Sequence, residues 1–235
     1  NRYKATESVQ FPCVLKPLFL GASRGVIRAD NPEEFVAAFD RIVAILSRKE
    51  VAKRGREAAR EILVEDYISG EEVALEGLLV DGKLQILSLF DKPDPLQGPY
   101  FEETIYVTPS RLEDRIQSKI FNTTVAAVEA LGLREGPVHA ELRYNDSGVW
   151  IVEVAARAIG GLCSRTLHFR SGVSLEELIL RNALGLNVYG MLDRDDLATG
   201  VFMMAVPHNG RLLCVEGLNS ARQVAGVEDI IVTIP

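Results

Sequence analysis

A chain of 235 residues, 47% apolar and 25% charged, is long enough for one large domain or two small ones and has the composition of a globular protein. Its formal net charge of −7 excludes the basic surface that bulk nucleic-acid binding needs, but not a local basic pocket. No apolar run reaches the roughly 18 residues that span a membrane, and no signal-peptide pattern opens the chain. Cys13, Cys163 and Cys214 are too scattered for a zinc site, so reduced thiols in a cytoplasmic protein are expected. The abrupt start and the strand-like last residues read as cuts within a longer protein.

In chain order, residues 11–17 (FPCVLKP) read as a short strand ending in Lys16-Pro17. Residues 21–29 (GASRGVIRA) read as a small-residue turn entering a second strand. Asn31-Pro32-Glu33-Glu34 marks a helix start, with a capping Asn, Pro at the first helical position and acids in the first turn. Phe35, Phe39, Ile42, Val43 and Leu46 then recur at helical spacing. Residues 62–68 form a strand and Ser69-Gly70 a turn, and two alternating runs flank Asp81-Gly82 as a hairpin. Residues 100–109 read as another strand. A helix follows over 112–131, its apolar face interrupted by Thr123 and Thr124 and stopped by Gly132. Residues 138–157 read strand, turn, strand, and 174–185 a capped helix. Residues 200–207 and 211–217 suggest a late hairpin around Asn209-Gly210, with a last strand at 228–234. Strands outnumber helices and neighbour one another antiparallel, which predicts an α+β fold rather than a doubly wound parallel sheet.

The 138–157 hairpin (VHAELRYNDSGVWIVEVAAR) carries the most chemistry. A three-residue turn Asp146-Ser147-Gly148, with Gly148 in the left-handed position, pairs Asn145 with Val149 and sets Glu141 directly opposite Glu153. The same register sets His139 opposite Ala155, with Arg157 further along that face. Like charges opposite one another destabilise a sheet unless a divalent cation lies between them or one acid keeps its proton. A solvated edge with two unrelated glutamates is the alternative.

Near the start, Lys16 offers a point charge, and the small residues Gly21, Ala22, Ser23 and Gly25 let backbone N–H groups approach phosphate oxygens. No GK[ST] follows, so this is not a P-loop, and a plain hairpin turn with an exposed lysine is the alternative. Residues 63–73 read as strand then hinge. Backbone groups around Tyr67-Ile68 can bind an adenine edge and Glu72 a ribose, although ordinary strand-and-turn chemistry explains the same residues. Residues 157–166 read as a glycine turn entering a helix, either structural or, with Arg165, an anion holder. Lys92, Glu102 and Glu103 read as solvated or inter-domain charges, and His168 and His208 as structural.

Taken in order, Lys16-Pro17, the Gly21–Gly25 loop, VEDYISGEEV, AELR and VEVAAR resemble the ATP-grasp superfamily over nearly the whole chain. The branch they resemble holds biotin carboxylase, carbamoyl-phosphate synthase and the L-amino-acid ligases. The resemblance implies an α+β ATP-grasp fold with mainly antiparallel sheets. A small lobe over 1–68 would act as nucleotide lid, and a large lobe over 69–235 would hold the metal site. It implies ATP and Mg²⁺ (or Mn²⁺), with Lys16 on the phosphates and Gly21, Ala22, Ser23 and Gly25 closing over them. Glu65, Asp66, Tyr67 and Ile68 would hold adenine, Glu72 the ribose and Glu141 and Glu153 the metal. Arg157 would be catalytic, stabilising the transferring phosphoryl group. The implied activity joins a small-molecule carboxylate, activated as acyl phosphate, to an amine, as in amino-acid or dipeptide ligation. A bicarbonate-using carboxylase, a carbamoyl-phosphate type or a non-catalytic nucleotide-binding module are the alternatives. Where the family usually reads Glu-x-Asn-x-Arg, this chain has Glu153-Val154-Ala155-Ala156-Arg157, without the amide ligand. The resemblance also implies an upstream domain of the same chain carrying a further phosphate-binding lysine, a possible homodimer, and neither nucleic-acid nor membrane partners.

Overall fold

A computed structural model describes residues 5–205 and 210–232. Two antiparallel sheets organise it. The first is three-stranded in the order β2-β1-β3, from β1 (Cys13–Pro17), β2 (Ile27–Ala29) and β3 (Ile62–Asp66). Cys13 and Leu15 point inward from β1 while Val14 and Lys16 point out, as strand alternation requires. Helix α1 (Pro32–Leu46) covers the inner side with Phe35, Ala38, Ile42 and Leu46. It begins where the sequence places it. Asn31 Oδ1 accepts the Glu34 N–H at 3.0 Å, and Glu34 reaches back to accept the Asp30 N–H at 2.8 Å. A short helix α2 (Lys49–Gly55) follows without a side-chain cap, so nothing in its sequence announced it.

The second sheet is six-stranded in the order β8-β7-β4-β5-β6-β9. Its strands are β4 (Glu71–Val80), β5 (Lys83–Asp91), β6 (Ile105–Thr108), β7 (Gly136–Asn145), β8 (Gly148–Ala155) and β9 (Thr199–Phe202). One face packs Val73, Leu75, Leu89, Ala140 and Leu142 on Ile120 of helix α3 (Asp114–Ala130). Thr124 is buried in that helix face, but its hydroxyl donates to the Ile120 carbonyl at 2.9 Å, so it does not break the stripe. The opposite face lays Ala74, Leu78, Phe90 and Tyr106 under Ile159, Cys163, Leu167, Phe169 and Val188, with Leu175 and Leu178 from helix α4 (Leu175–Ala183). That face also carries Glu72, Glu76, His139, Glu141 and Arg143, which fall on the same parity of β4 and β7.

The later strands differ from their expected form. The 100–109 strand is confined to Ile105–Thr108, and the turn after Arg157 leads only into a single 3₁₀ turn, Cys163–Thr166. Residues 211–217 and 228–232 form no strand. Among the described residues β9 pairs with β6, Ile105 opposite Phe202 and Thr108 opposite Thr199, because alternation marks a segment that can pair without specifying its partner. The tip at Asn209, His208 and the last three residues lie outside the described residues. From Met204 the chain forms a second compact unit whose described part holds one short helix, α5 (Leu218–Arg222). Among the described residues no helix is long and apolar enough to cross a membrane.

Candidate functional site

The β7–β8 hairpin reaches the expected pairing by an unexpected route. Its turn is the two residues Asp146-Ser147, with Asn145 opposite Gly148 and Asn145 Oδ1 accepting the Ser147 N–H at 2.9 Å. Continued unbroken, that register would set Glu141 against Val152 and turn Glu153 toward α3. Instead a bulge lies between Leu142, opposite Ile151, and Glu141, opposite Glu153. The extra residue restores the face of everything beyond it. Glu141 therefore faces Glu153, and His139 faces Ala155. The turn length differs from the sequence expectation by one residue and the bulge compensates by one.

The rest of the site is a buried network of charges. Lys92, just past β5, is not the solvated charge its sequence context suggests, since its side chain is only 3% exposed. Its Nζ donates to Glu72 at 2.8 Å, Glu103 at 2.7 Å and Glu141 at 3.2 Å. One oxygen from each of these glutamates lies within 4.8 Å of the others. Arg143 also pairs with Glu72 at 2.8 Å and His139 approaches Glu141 at 3.4 Å, so the cations are shared unevenly among the three carboxylates, and that division shapes the local acidities. Burial pushes the Glu103 carboxyl up, with Glu141 adding to it against the opposing pull of Lys92. Burial also raises Glu141, but His139 and Lys92 outweigh it and hold that carboxyl well below the usual range. For Lys92, burial lowers the ammonium while Glu141, Glu72 and Glu103 overcome it and raise it. His139 is buried too, which lowers it, yet hydrogen bonds and charge from Glu141 and Glu76 lift it to about 9. Behind it Glu76 is fully buried, accepts the Ile159 N–H at 3.0 Å and approaches His139 at 3.4 Å.

On the first sheet, Lys16 and Glu65 project from the outward side and pair at 2.5 Å. Asp66 ends β3 opposite Cys13 and is exposed. The Gly21–Gly25 segment is an exposed turn in which Ala22 and Ser23 both take left-handed φ, of 57° and 50°. Gly25, at φ 84°, could not carry a Cβ without meeting the Pro17 ring at 3.0 Å. Arg157 reaches only 3.9 Å from Glu153, and both side chains are about half exposed, so its guanidinium is accessible. The structure thus groups Lys16 with Glu65, Glu72 with Glu141, and Glu153 with Arg157. Sequence reasoning read Lys92 as a solvated or inter-domain charge and passed over Glu76 and Arg143. The signal for two of them was parity: Glu76 lies four residues after Glu72 in an apolar strand, and Arg143 two after Glu141.

The cysteines supply a direct test of this packing. Cys13 and Cys163 are buried and Cys214 is exposed. Burial, then nearby acids, push the Cys13 thiol up to about 11; burial pushes Cys163 up to about 12. Titration of the folded protein with an aromatic disulfide at pH 8 should find one fast thiol, and two more only on unfolding. Three fast thiols would contradict the packing.

The model of the ATP-grasp domain matches residues 9–166, and the chain belongs to that family. Over 189 residues it is 29% identical to the alanine–anticapsin ligase of Bacillus subtilis, covering 75% of this chain and 39% of that protein. It is 28% identical over 152 residues to dapdiamide A synthase of Enterobacter agglomerans, 64% of this chain and 34% of the other. Among solved structures it resembles the L-amino acid ligase from Bacillus licheniformis with a TM-score of 0.71 and 26% identity, over 92% of this chain and 52% of that one. The chain therefore spans roughly half or less of the length of the proteins it matches.

Proposed function

We propose that this chain is the nucleotide- and metal-binding part of an ATP-dependent carboxylate–amine ligase that joins amino acids. The observation that carries the proposal is the bulged register that turns Glu153 onto the face of Glu141. That geometry sets like charges opposite one another, at a cost in the absence of a cation. The relatives supply the reaction class: two are ligases by name and one a synthase.

The donor set fits a hard divalent cation, because Glu141 and Glu153 offer carboxylate oxygens from adjacent strands and neither thiolate nor free imidazole is among them. Mg²⁺ or Mn²⁺ held there would neutralise phosphate charge. The remaining work falls to side chains. Lys16 pairs with the terminal phosphates in place of Glu65, and the Gly21–Gly25 turn supplies N–H groups over them. Tyr67 and Ile68 offer backbone to adenine, with Glu65 and Asp66 beside them. Glu72, the ribose candidate, is already committed to Lys92 and Arg143, so a sugar hydroxyl would have to share its oxygens. Lys92 holds Glu141 in place, and its buried charge favours the anionic carboxylate facing Glu153. Arg157 stabilises the phosphoryl group as it passes to the substrate carboxylate, a transfer that needs positioning and charge more than covalent chemistry. We place the lobe boundary in the hinge between β3 and β4, giving lobes 1–68 and 69–235, with the upstream part of the protein completing the substrate side.

The test is ADP release by the full-length protein with Mg-ATP across pairs of amino acids. Release that requires both a carboxylate donor and an amine is expected. Release that requires bicarbonate instead would replace this reading with a carboxylase, and ATP binding without turnover would leave a nucleotide-binding module.

A further inference from the structure

The hinge between the two sheets, residues 67–70, is clasped by the last residues of β7. The Arg143 side chain is nearly fully buried, with its Nη1 donating to the Ile68 carbonyl at 2.7 Å. Asn145 Nδ2 donates to the Ser69 carbonyl at 2.8 Å. Gly70, at φ 122°, lies so close to Tyr144 that a Cβ there would meet the Tyr144 carbonyl oxygen at 2.2 Å. Three successive hinge residues are thus seated on three successive residues of one strand.

Arg143 does more than hold one carbonyl. Its Nε donates to Glu72 at 2.8 Å and its Nη2 to the Leu96 carbonyl at 2.6 Å. Its guanidinium lies 5.2 Å from the Tyr67 ring and 5.4 Å from Phe101, while Arg28 stacks on Tyr67 at 4.0 Å. The Tyr67 N–H donates to the Pro12 carbonyl at 3.1 Å. The peptide joining Tyr67 to Ile68 is therefore bracketed by two pinned neighbours, and its own carbonyl and N–H make no hydrogen bond among the described residues. Pinning both neighbours narrows the directions open to the peptide between them, leaving mainly the coupled rotation about ψ of Tyr67 and φ of Ile68.

We infer that Arg143 is a nucleotide-positioning residue. It orients the Tyr67–Ile68 peptide for a purine edge, and sets that peptide's distance from Glu141, two residues back on the same face of the same strand. The inference rests on the ATP reading above. A planar guanidinium is required because it serves two carbonyls and a carboxylate in fixed directions at once, which an ammonium on a flexible stem cannot.

The test compares Arg143→Lys with wild type in the full-length protein, by calorimetric Kd for Mg-ATP, Mg-ITP and Mg-tripolyphosphate. Tripolyphosphate reports the phosphate and metal groups without the hinge. The variant should bind Mg-ATP at least about tenfold more weakly while tripolyphosphate affinity stays within about twofold, so that the preference for ATP over ITP collapses. Phe101→Leu, which removes only the ring beside the guanidinium, should give a smaller loss of the same kind and serves if Arg143→Lys does not fold. Equal losses for ATP and tripolyphosphate would mean Arg143 is merely structural, and unchanged ATP affinity in a folded variant would also overturn the inference. Wild-type protein that binds tripolyphosphate as tightly as ATP would instead remove the adenine hinge itself, and this inference with it.

Discussion

Replacing Lys92 with alanine should lower the stability of the protein by about 3–5 kcal/mol, as removal of one partner from a buried ion cluster does. For a chain of this size that corresponds to a fall in Tm of roughly 6–20 °C. The side chain is 3% exposed, so solvent does little to screen the loss. Glu103 would lose the cation it shares with Glu72 and Glu141, which would keep Arg143 and His139 respectively. The pH dependence should identify the cause. Burial already raises Glu103 against the pull of Lys92, so in the variant, with that pull gone, its contribution is present below the unfolded carboxylate value and is lost as pH rises through the folded one. In the wild type Glu141 is held low, so its contribution is present above the unfolded value and lost as pH falls. Chemical denaturation at pH 5 and pH 8 should therefore show the gap between the two proteins widening at pH 8. A gap that is constant, or wider at pH 5, would count against the cluster as the source.

Glu153→Gln should behave in the opposite way, losing activity while keeping the fold. The Glu153 side chain is 54% exposed and its contact with Arg157 is long, so little in the folded state depends on its charge. Neutralising it also removes the opposition to Glu141 across the strands. Loss of a metal carboxylate removes charge stabilisation worth several kcal/mol in the transfer step, so Mg²⁺-dependent ADP formation by the full-length protein should drop by about 100-fold or more. The metal-free Tm should stay within a few degrees of wild type. Activity within about threefold of wild type would remove Glu153 from the metal site. A large fall in Tm would show that the residue is structural.

Much of this protein was legible in its sequence because the relevant signals are local. Asn31-Pro32 and the acids after it specify a helix start through hydrogen bonds made within four residues, and Asp81-Gly82 specifies a hairpin through backbone angles at two. The facing of Glu141 and Glu153 was reached as well, but by compensation, since no pattern of side chains marks the bulge that offsets the shorter turn. The late strands misled for a related reason. Alternation says that a segment can pair but not with which edge, and the edge β9 found was that of β6.

The amino-acid order by itself determined the α+β class, the β-strands from β1 to β8 with helices α1, α3 and α4, and the motifs that mark an ATP-grasp domain, because each depends on neighbours along the chain. Only the tertiary structure decided that Lys92 lies among three carboxylates, that Glu76 backs His139, and that Arg143 grips the hinge. Those contacts join residues far apart in sequence, as Arg143 to Ile68 and Lys92 to Glu141 do. A charged residue next to an apolar strand reads as solvated until the fold removes its water, and burial then forces it to find every partner within reach.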